Sequence, residues 1–335
     1  MKRRTAVLKL VLAVAAAFSM ASATQADAQT MNLKLAHGAT PAQAIGKGLI
    51  RFADLVGTKS GGAVKVETHL SGSLYNERTS LEAVVNGAID FGGASNANWA
   101  AFTDTLLFMD LPYVFNDEES FRKVMHGPAG NEIRNRFEKA GFKLLMAMDN
   151  AGFRDVVNAK RQVRVPSDLK GLKMRTTASP VEIAMMRNWG AVTTAIDWGE
   201  VYNALGSGVV DGEFVQPVWL AHAKHYEVLK HATEVKAVIG INTLAMRKDR
   251  FDKLPAGVQK AILDAAAEAL AYSNKIDAEM MEEGRAIARK LGIQTYQPTP
   301  AEMKLWQSTG RAIWKDFDSK IDKALLKIVL DAQAK

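Results

Sequence analysis

Apolar and polar positions along this chain switch repeatedly between a period of two and a period of three to four. That pattern predicts short strands alternating with helices, the signature of α/β layers. Residues 32–36, 64–70, 89–92, 142–148, 153–158, 172–176, 192–196 and 209–215 read as strands. A helix opens at Pro41, with Ile45, Leu49, Phe52 and Val56 on one face, and breaks at Ser60-Gly61-Gly62. A second, carrying Leu81, Val84 and Val85, ends at Gly87, and a capped helix start falls at 95–99. Further helices are predicted over 118–125, 129–140, 180–189 and 200–205. Residues 166–171 read as one turn capped by Ser167 and stopped by Gly171.

The last third is helical. Residues 255–290 form one periodic stretch, with Val258, Ile262, Ala266, Leu270, Ile276, Met280 and Ile287 along a face. At 1.5 Å per residue such a helix approaches ~50 Å, longer than a small lobe, and is expected to run along more than one. Residues 302–334 continue as helix, anchored by Trp306, Ile313 and Trp314.

The N-terminus has a different character. Lys2, Arg3 and Arg4 precede an apolar run from Leu10 to Met20 and then Ala26-Asp27-Ala28, the arrangement of a cleaved export signal over residues 1–28. An apolar run this short does not span a bilayer, which takes roughly 20 residues. The mature chain is therefore expected in the periplasm. Its length of roughly 300 residues favours two domains over a single core.

Charge and composition exclude more than they identify. The full chain has 43 basic and 36 acidic residues, a net +7. Lys2, Arg3, Arg4, Lys9 and Asp27 lie in the leader, so the remainder carries 39 basic and 35 acidic residues, or +4. No basic cluster marks a nucleic-acid surface. Cysteine is absent, which removes disulfides, thiolate metal sites and a lipid anchor at the cleavage point. The usual catalytic and phosphate-binding motifs are missing as well. His222 and His225 lie three apart on a predicted helix with Glu227 beside them, but no third ligand is evident, and the pair reads as exposed helix histidines rather than a metal site. No enzyme activity, metal or cofactor is expected.

Polar residues at strand ends and helix starts are the remaining candidates, because ligands of open α/β sheets bind there. Arg154 follows the break at Gly152, and Arg175 closes a strand. Ser95 and Asn96 sit where a strand gives way to a helix, so backbone amides there can face an anion.

Four segments then resemble one family, in order along the chain. Asp168-Leu169-Lys170-Gly171-Leu172-Lys173-Met174-Arg175 is similar to the D-L-K-G-L-K-x-R run of receptors for tripartite ATP-independent periplasmic (TRAP) transporters, of the dicarboxylate-receptor type. Gly72-Ser73-Leu74 with Glu77, Asp110-Leu111-Pro112-Tyr113-Val114-Phe115, and Glu200-Val201-Tyr202-Asn203-Ala204-Leu205 leading to Gly208-Val209-Val210-Asp211-Gly212 resemble its other motifs.

The resemblance implies an α/β fold of two lobes with a ligand cleft between them and a long helix spanning both. Lobe I would comprise 29–152 with about 240–273, lobe II 153–239, and 274–335 would pack along both. It implies a monomeric receptor that captures a small organic acid and delivers it to membrane permease subunits. Two alternatives are a sensor-type binding protein docking on a signalling receptor and a periplasmic hydrolase or lyase without a recognisable motif. Arg175 matches the arginine that pairs with the ligand carboxylate, as its planar fork suits. Arg154 matches a second ligand-facing arginine, Ser95 and Asn96 match polar contacts from the first lobe, and Trp198 matches an aromatic cleft position. Where many relatives place a ligand-binding asparagine, this chain has Val215 within Glu213-Phe214-Val215-Gln216-Pro217. Two ligand shapes follow from that departure. One is a carboxylate with an apolar body against Trp198, Phe214, Val215, Trp99 and Trp219. The other is a C4-dicarboxylate met by Glu213 or Gln216.

Overall fold

A computed structural model describes residues 30–334; the predicted export signal lies outside them. Nine strands form one mixed sheet: β1 (Met31–His37), β2 (Val64–His69), β3 (Phe91–Gly93), β4 (Phe142–Asn158), β5 (Lys173–Thr176), β6 (Val192–Ala195), β7 (Gly212–Val215), β8 (His231–Arg247) and β9 (Gln294–Tyr296). The α-helices are α1 (Ala44–Lys59), α2 (Glu77–Asn86), α3 (Glu118–His126), α4 (Pro128–Lys139), α5 (Pro180–Asn188), α6 (Val201–Gly206), α7 (Pro217–His222), α8 (Lys248–Asp252), α9 (Ala256–Lys290), α10 (Pro300–Arg311) and α11 (Lys323–Gln333).

The strand order is β2-β1-β3-β8-β4-β7-β5-β6, with β9 beside β8. β1 pairs in parallel with β2 and β3, and β5 pairs in parallel with β6 and β7. These two groups are joined by the antiparallel pair β4–β8, which enters both. The sequence predicts two strands at 142–148 and 153–158. They are instead the two ends of the seventeen-residue β4. Its equally long partner β8 escapes the pattern because Thr233, Glu234, Lys236 and Asn242 interrupt its alternation.

Each half has its own apolar packing. Leu33, Leu35, Phe52, Phe91 and Ile262 bury against one another under α1 and α9 in the first half. Val157, Val201, Leu205, Val215 and Leu229 do so in the second. A larger cluster from Trp99 through Phe137 to Trp189 and Trp306 fills the other side of the sheet. Helix α9, 35 residues long, packs on α1, β4 and α7 and so runs along both halves. The C-terminal helix breaks into α10, a 3-10 segment Ala312–Phe317 and α11, restarted by Asp322 capping the Leu325 amide.

The segment before β5 shows why its sequence motif has its form. Asp168 Oδ2 accepts from the amides of Arg164 and Val165, so Asp168, not Ser167, closes the turn. Leu169, Leu172 and Met174 are core residues. Strand alternation then turns Arg175 away from Met174 and toward the cleft. Next to it, Asp211 Oδ2 accepts from the Lys173 amide, and a Cβ at Gly212 would lie 2.3 Å from the Val157 carbonyl oxygen. Only glycine allows β7 to sit that close to β4.

Candidate functional site

The carboxyl ends of parallel strands from both halves converge on one cleft, as open α/β sheets arrange their ligand sites. Gly38 and Ala39 follow β1, Ser95 follows β3, Thr177 follows β5, Ile196 to Trp198 follow β6, and Gln216 follows β7; all line it. The cavity measures about 110 Å³. At about 10–15 Å³ per water position, it has room for on the order of ten non-hydrogen atoms. Across its mouth Asn76 Nδ2 donates to Asp197 Oδ2 at 2.9 Å, joining the two halves.

Arg175 is 6% exposed. Its Nε donates to the Ile196 carbonyl at 2.9 Å, and its guanidinium lies 5.8 Å from the centre of the Trp198 ring. The terminal nitrogens make no ion pair among the described residues. Burial pushes Arg175 below the ordinary arginine value, while Glu182 and Glu213 act the other way. The side chain is thus a fixed, buried fork lining the cavity, a geometry suited to a carboxylate.

Arg154 faces the same cavity but is already partnered. Its Nη1 donates to Glu182 Oε2 at 2.6 Å, and Thr177 donates to Glu182 through both its amide and its hydroxyl. Glu182 in turn belongs to a buried chain that crosses to the first half. The Ser179 hydroxyl donates to Asp110 Oδ2 at 2.7 Å, and Asn96 Nδ2 donates to Asp110 Oδ1 at 2.7 Å. Burial raises Asp110 to about 7, against the opposing pull of Arg154.

Opposite Arg175 the wall is acidic. Glu77 Oε2 accepts from the Ser95 amide, the Ser95 hydroxyl and Asn98 Nδ2, while Oε1 accepts from Asn242 Nδ2 at 3.1 Å. Asn242 is itself held by His37, whose Nε2 lies 2.8 Å from Asn242 Oδ1. Oε1 accepts this one bond and, with about two lone-pair sites to a carboxylate oxygen, keeps room for another donor. Ile45, Ile196, Trp198, Phe214, Val215 and Trp219 give the same cavity its apolar surface.

Of the residues the sequence singles out, the structure brings Arg175, Arg154, Ser95, Trp198, Val215 and Gln216 to the cavity. Three others stand outside it. Asn96 is spent on Asp110 and on the Ile241 amide. Trp99 is a core residue, donating to the Thr243 hydroxyl and packed edge-on against Phe137 and Phe142. Glu213 points behind the wall, with Oε1 2.6 Å from His225 Nδ1 and Oε2 without a partner among the described residues. The same contact corrects the reading of the His222–His225 pair: His222 is exposed, but His225 is buried beneath Trp198. Asn150, Thr177, Asn242 and Glu77 also line the cavity, and none of them stands out as a ligand contact in the sequence. Asn242 carried a signal, as a lone amide inside the apolar run 237–246.

The profile of the bacterial extracellular solute-binding protein family 7 (DctP) matches residues 35–320. The C4-dicarboxylate-binding periplasmic protein DctP of Rhodobacter capsulatus is 32% identical over 322 residues, covering 96% of each chain. A TRAP periplasmic solute-binding protein from Shewanella oneidensis, solved with bound succinate, has a TM-score of 0.85 at 26% identity, covering 91% of this chain and 99% of its own. One from Ralstonia eutropha, solved with bound (S)-2-acetolactate, has a TM-score of 0.85 at 26% identity, covering 90% and 98%.

Proposed function

The chain belongs to the bacterial extracellular solute-binding protein family 7, and from that premise we propose a ligand class and a set of contacts for its cleft. The protein is a periplasmic receptor that binds a small organic acid and delivers it to a TRAP-type membrane permease. We assign 30–152 with about 240–273 to the first lobe and 153–239 to the second, with the ligand between them. The reading is of a receptor rather than a catalyst, and it is tested by recovering the bound acid unchanged in mass after prolonged incubation.

The ligand is a small monocarboxylate with a short apolar body and a hydroxyl donor. The observation that carries this is the opposition of Arg175 and Glu77 across the cavity. Arg175 receives the carboxylate, with Arg154 beside it. A second carboxylate at the other end would meet Glu77, and like charges in a desolvated site repel. A hydroxyl would instead donate to the free capacity of Glu77 Oε1. Val215, Phe214, Ile196 and Trp219 accept alkyl surface between the two ends.

Titration calorimetry with 2-hydroxyisovalerate and succinate decides the matter. The hydroxy acid is expected to bind at least tenfold more tightly, about 1.4 kcal/mol. Tenfold tighter binding of succinate overturns the monocarboxylate reading in favour of a C4-dicarboxylate.

A further inference from the structure

The strand that carries Arg154 is deformed where it passes between the halves. Asp149 pairs with Ile241, but the next pair is Phe153 with Ile239, so two extra residues are inserted into β4 at this point. Ala151 and Gly152 both have positive φ, +58° and +78°. For alanine that conformation is unfavourable and persists only where its surroundings impose it.

The surroundings are supplied by α9 and α3. Asp277 of α9 accepts the Ala151 amide with both carboxylate oxygens, at 2.9 and 3.1 Å. Asn274, one turn earlier, accepts the Asp149 amide at 2.9 Å. Arg122 of α3 donates to Asp149 Oδ2 at 3.0 Å. Asp277 is 1% exposed. The bulge ends on one side at Asn150 and on the other, past Gly152, at Arg154, and both residues line the ligand cavity.

We propose that Asp277 is a positioning residue for the ligand site: by clamping the Ala151 amide it holds the crossing strand in the form that presents Asn150 and Arg154 to the ligand. The ligand part of this inference rests on the cleft being the acid-binding site; the clamp itself does not. The charged groups facing Asp277 are Asp149 of β4 and Arg122 and Glu118 of α3. Burial first, and then the neighbouring Asp149, push Asp277 up to about 7. Local opening of the bulge would return Asp277 to water and to the usual carboxylate range near 4. Opening therefore releases a proton, and it becomes easier as pH rises from about 4 to about 7.

Hydrogen exchange of the Ala151 amide in the ligand-free protein, corrected for intrinsic exchange, tests the clamp without any ligand. Wild-type protection is expected to fall at least tenfold between pH 5 and pH 7.5. Asp277→Asn, which keeps an oxygen for the amide and cannot ionise, is expected to stay level, and Asp277→Ala to lose protection throughout. Calorimetry with 2-hydroxyisovalerate and with succinate then asks whether the clamp serves binding. Whichever acid the wild type binds should bind at least tenfold more weakly to Asp277→Ala and within threefold to Asp277→Asn. Wild-type protection of Ala151 in Asp277→Ala, or unchanged affinity for a bound acid, overturns the proposal. If neither acid binds the wild type, the ligand reading is lost and exchange alone judges the clamp.

Discussion

Replacing Arg175 by alanine separates binding from stability in this protein. The guanidinium is held at one point, through Nε and the Ile196 carbonyl, and its remaining nitrogens are free for two parallel bonds to a carboxylate. Removing one partner of a buried charge pair costs about 2–5 kcal/mol, equivalent to roughly thirtyfold to a few thousandfold in affinity. Calorimetry at pH 7.5 should register that loss for Arg175→Ala. Lysine should recover only part of it, because a point charge cannot reproduce the fork. The ligand-free protein should respond differently. It carries a buried cation with no carboxylate in ion-pair contact among the described residues, which burial already disfavours. Arg175→Met, which keeps volume and removes charge, should therefore leave the melting temperature unchanged or raised. A loss of affinity below threefold in Arg175→Ala would refute the assignment. A lowered melting temperature in Arg175→Met would show that Arg175 serves the fold.

Three further outcomes are expected. Glu77→Gln should narrow the preference for 2-hydroxyisovalerate over succinate by at least threefold in paired calorimetry, since it removes the acid that faces a second carboxylate. Asp110, raised to about 7 by burial, is protonated more readily folded than unfolded. Its contribution to stability is complete below about pH 4 and is lost as pH rises toward 7, by up to ~1.4 kcal/mol per pH unit. Denaturant titrations at pH 5 and pH 7.5 should therefore differ less in Asp110→Asn than in the wild type. Gly152→Ala should destabilise by about 1–3 kcal/mol, seen as a lower melting temperature, because its φ is +78° and the new Cβ would lie 2.8 Å from Met281 Sδ and 2.9 Å from Glu118 Oε1.

Much of this architecture is legible in the sequence because the signals are local. The period of α9 reads correctly from Val258 to Lys290, and strand alternation around Met174 puts Arg175 on the cleft side. What escapes is non-local. Nothing near Glu77 announces that Ser95, Asn98 and Asn242 will surround it, since those partners arrive from a different strand end and from β8. Trp99 was misread for the same reason: an aromatic residue near a strand end suits a cavity or a core equally. The choice fell to Phe137 and Phe142, which close over it from α4 and β4. Glu213 was drawn inward by His225, which is not recognisable as its partner from spacing alone.

The route of the chain through β4 and β8 bears on how the protein reaches its folded state outside the cytoplasm. The first half of the sheet ends at β3, whose open edge is covered only when Phe91 and Gly92 pair with Met246 and Ala245. β4 likewise lies against β8, Phe142 beside Arg247 and Asn158 beside His231. Neither half can close until its part of β8 has emerged, residues 231–239 for the second half and up to 247 for the first, because both borrow the same late strand. A chain threaded across a membrane from its N-terminus would stay loosely organised for most of its passage. Pairings between such distant segments also form slowly, since a large loop must close first. The strands that join the two halves would therefore also delay collapse and keep the polypeptide transportable until β8 has crossed.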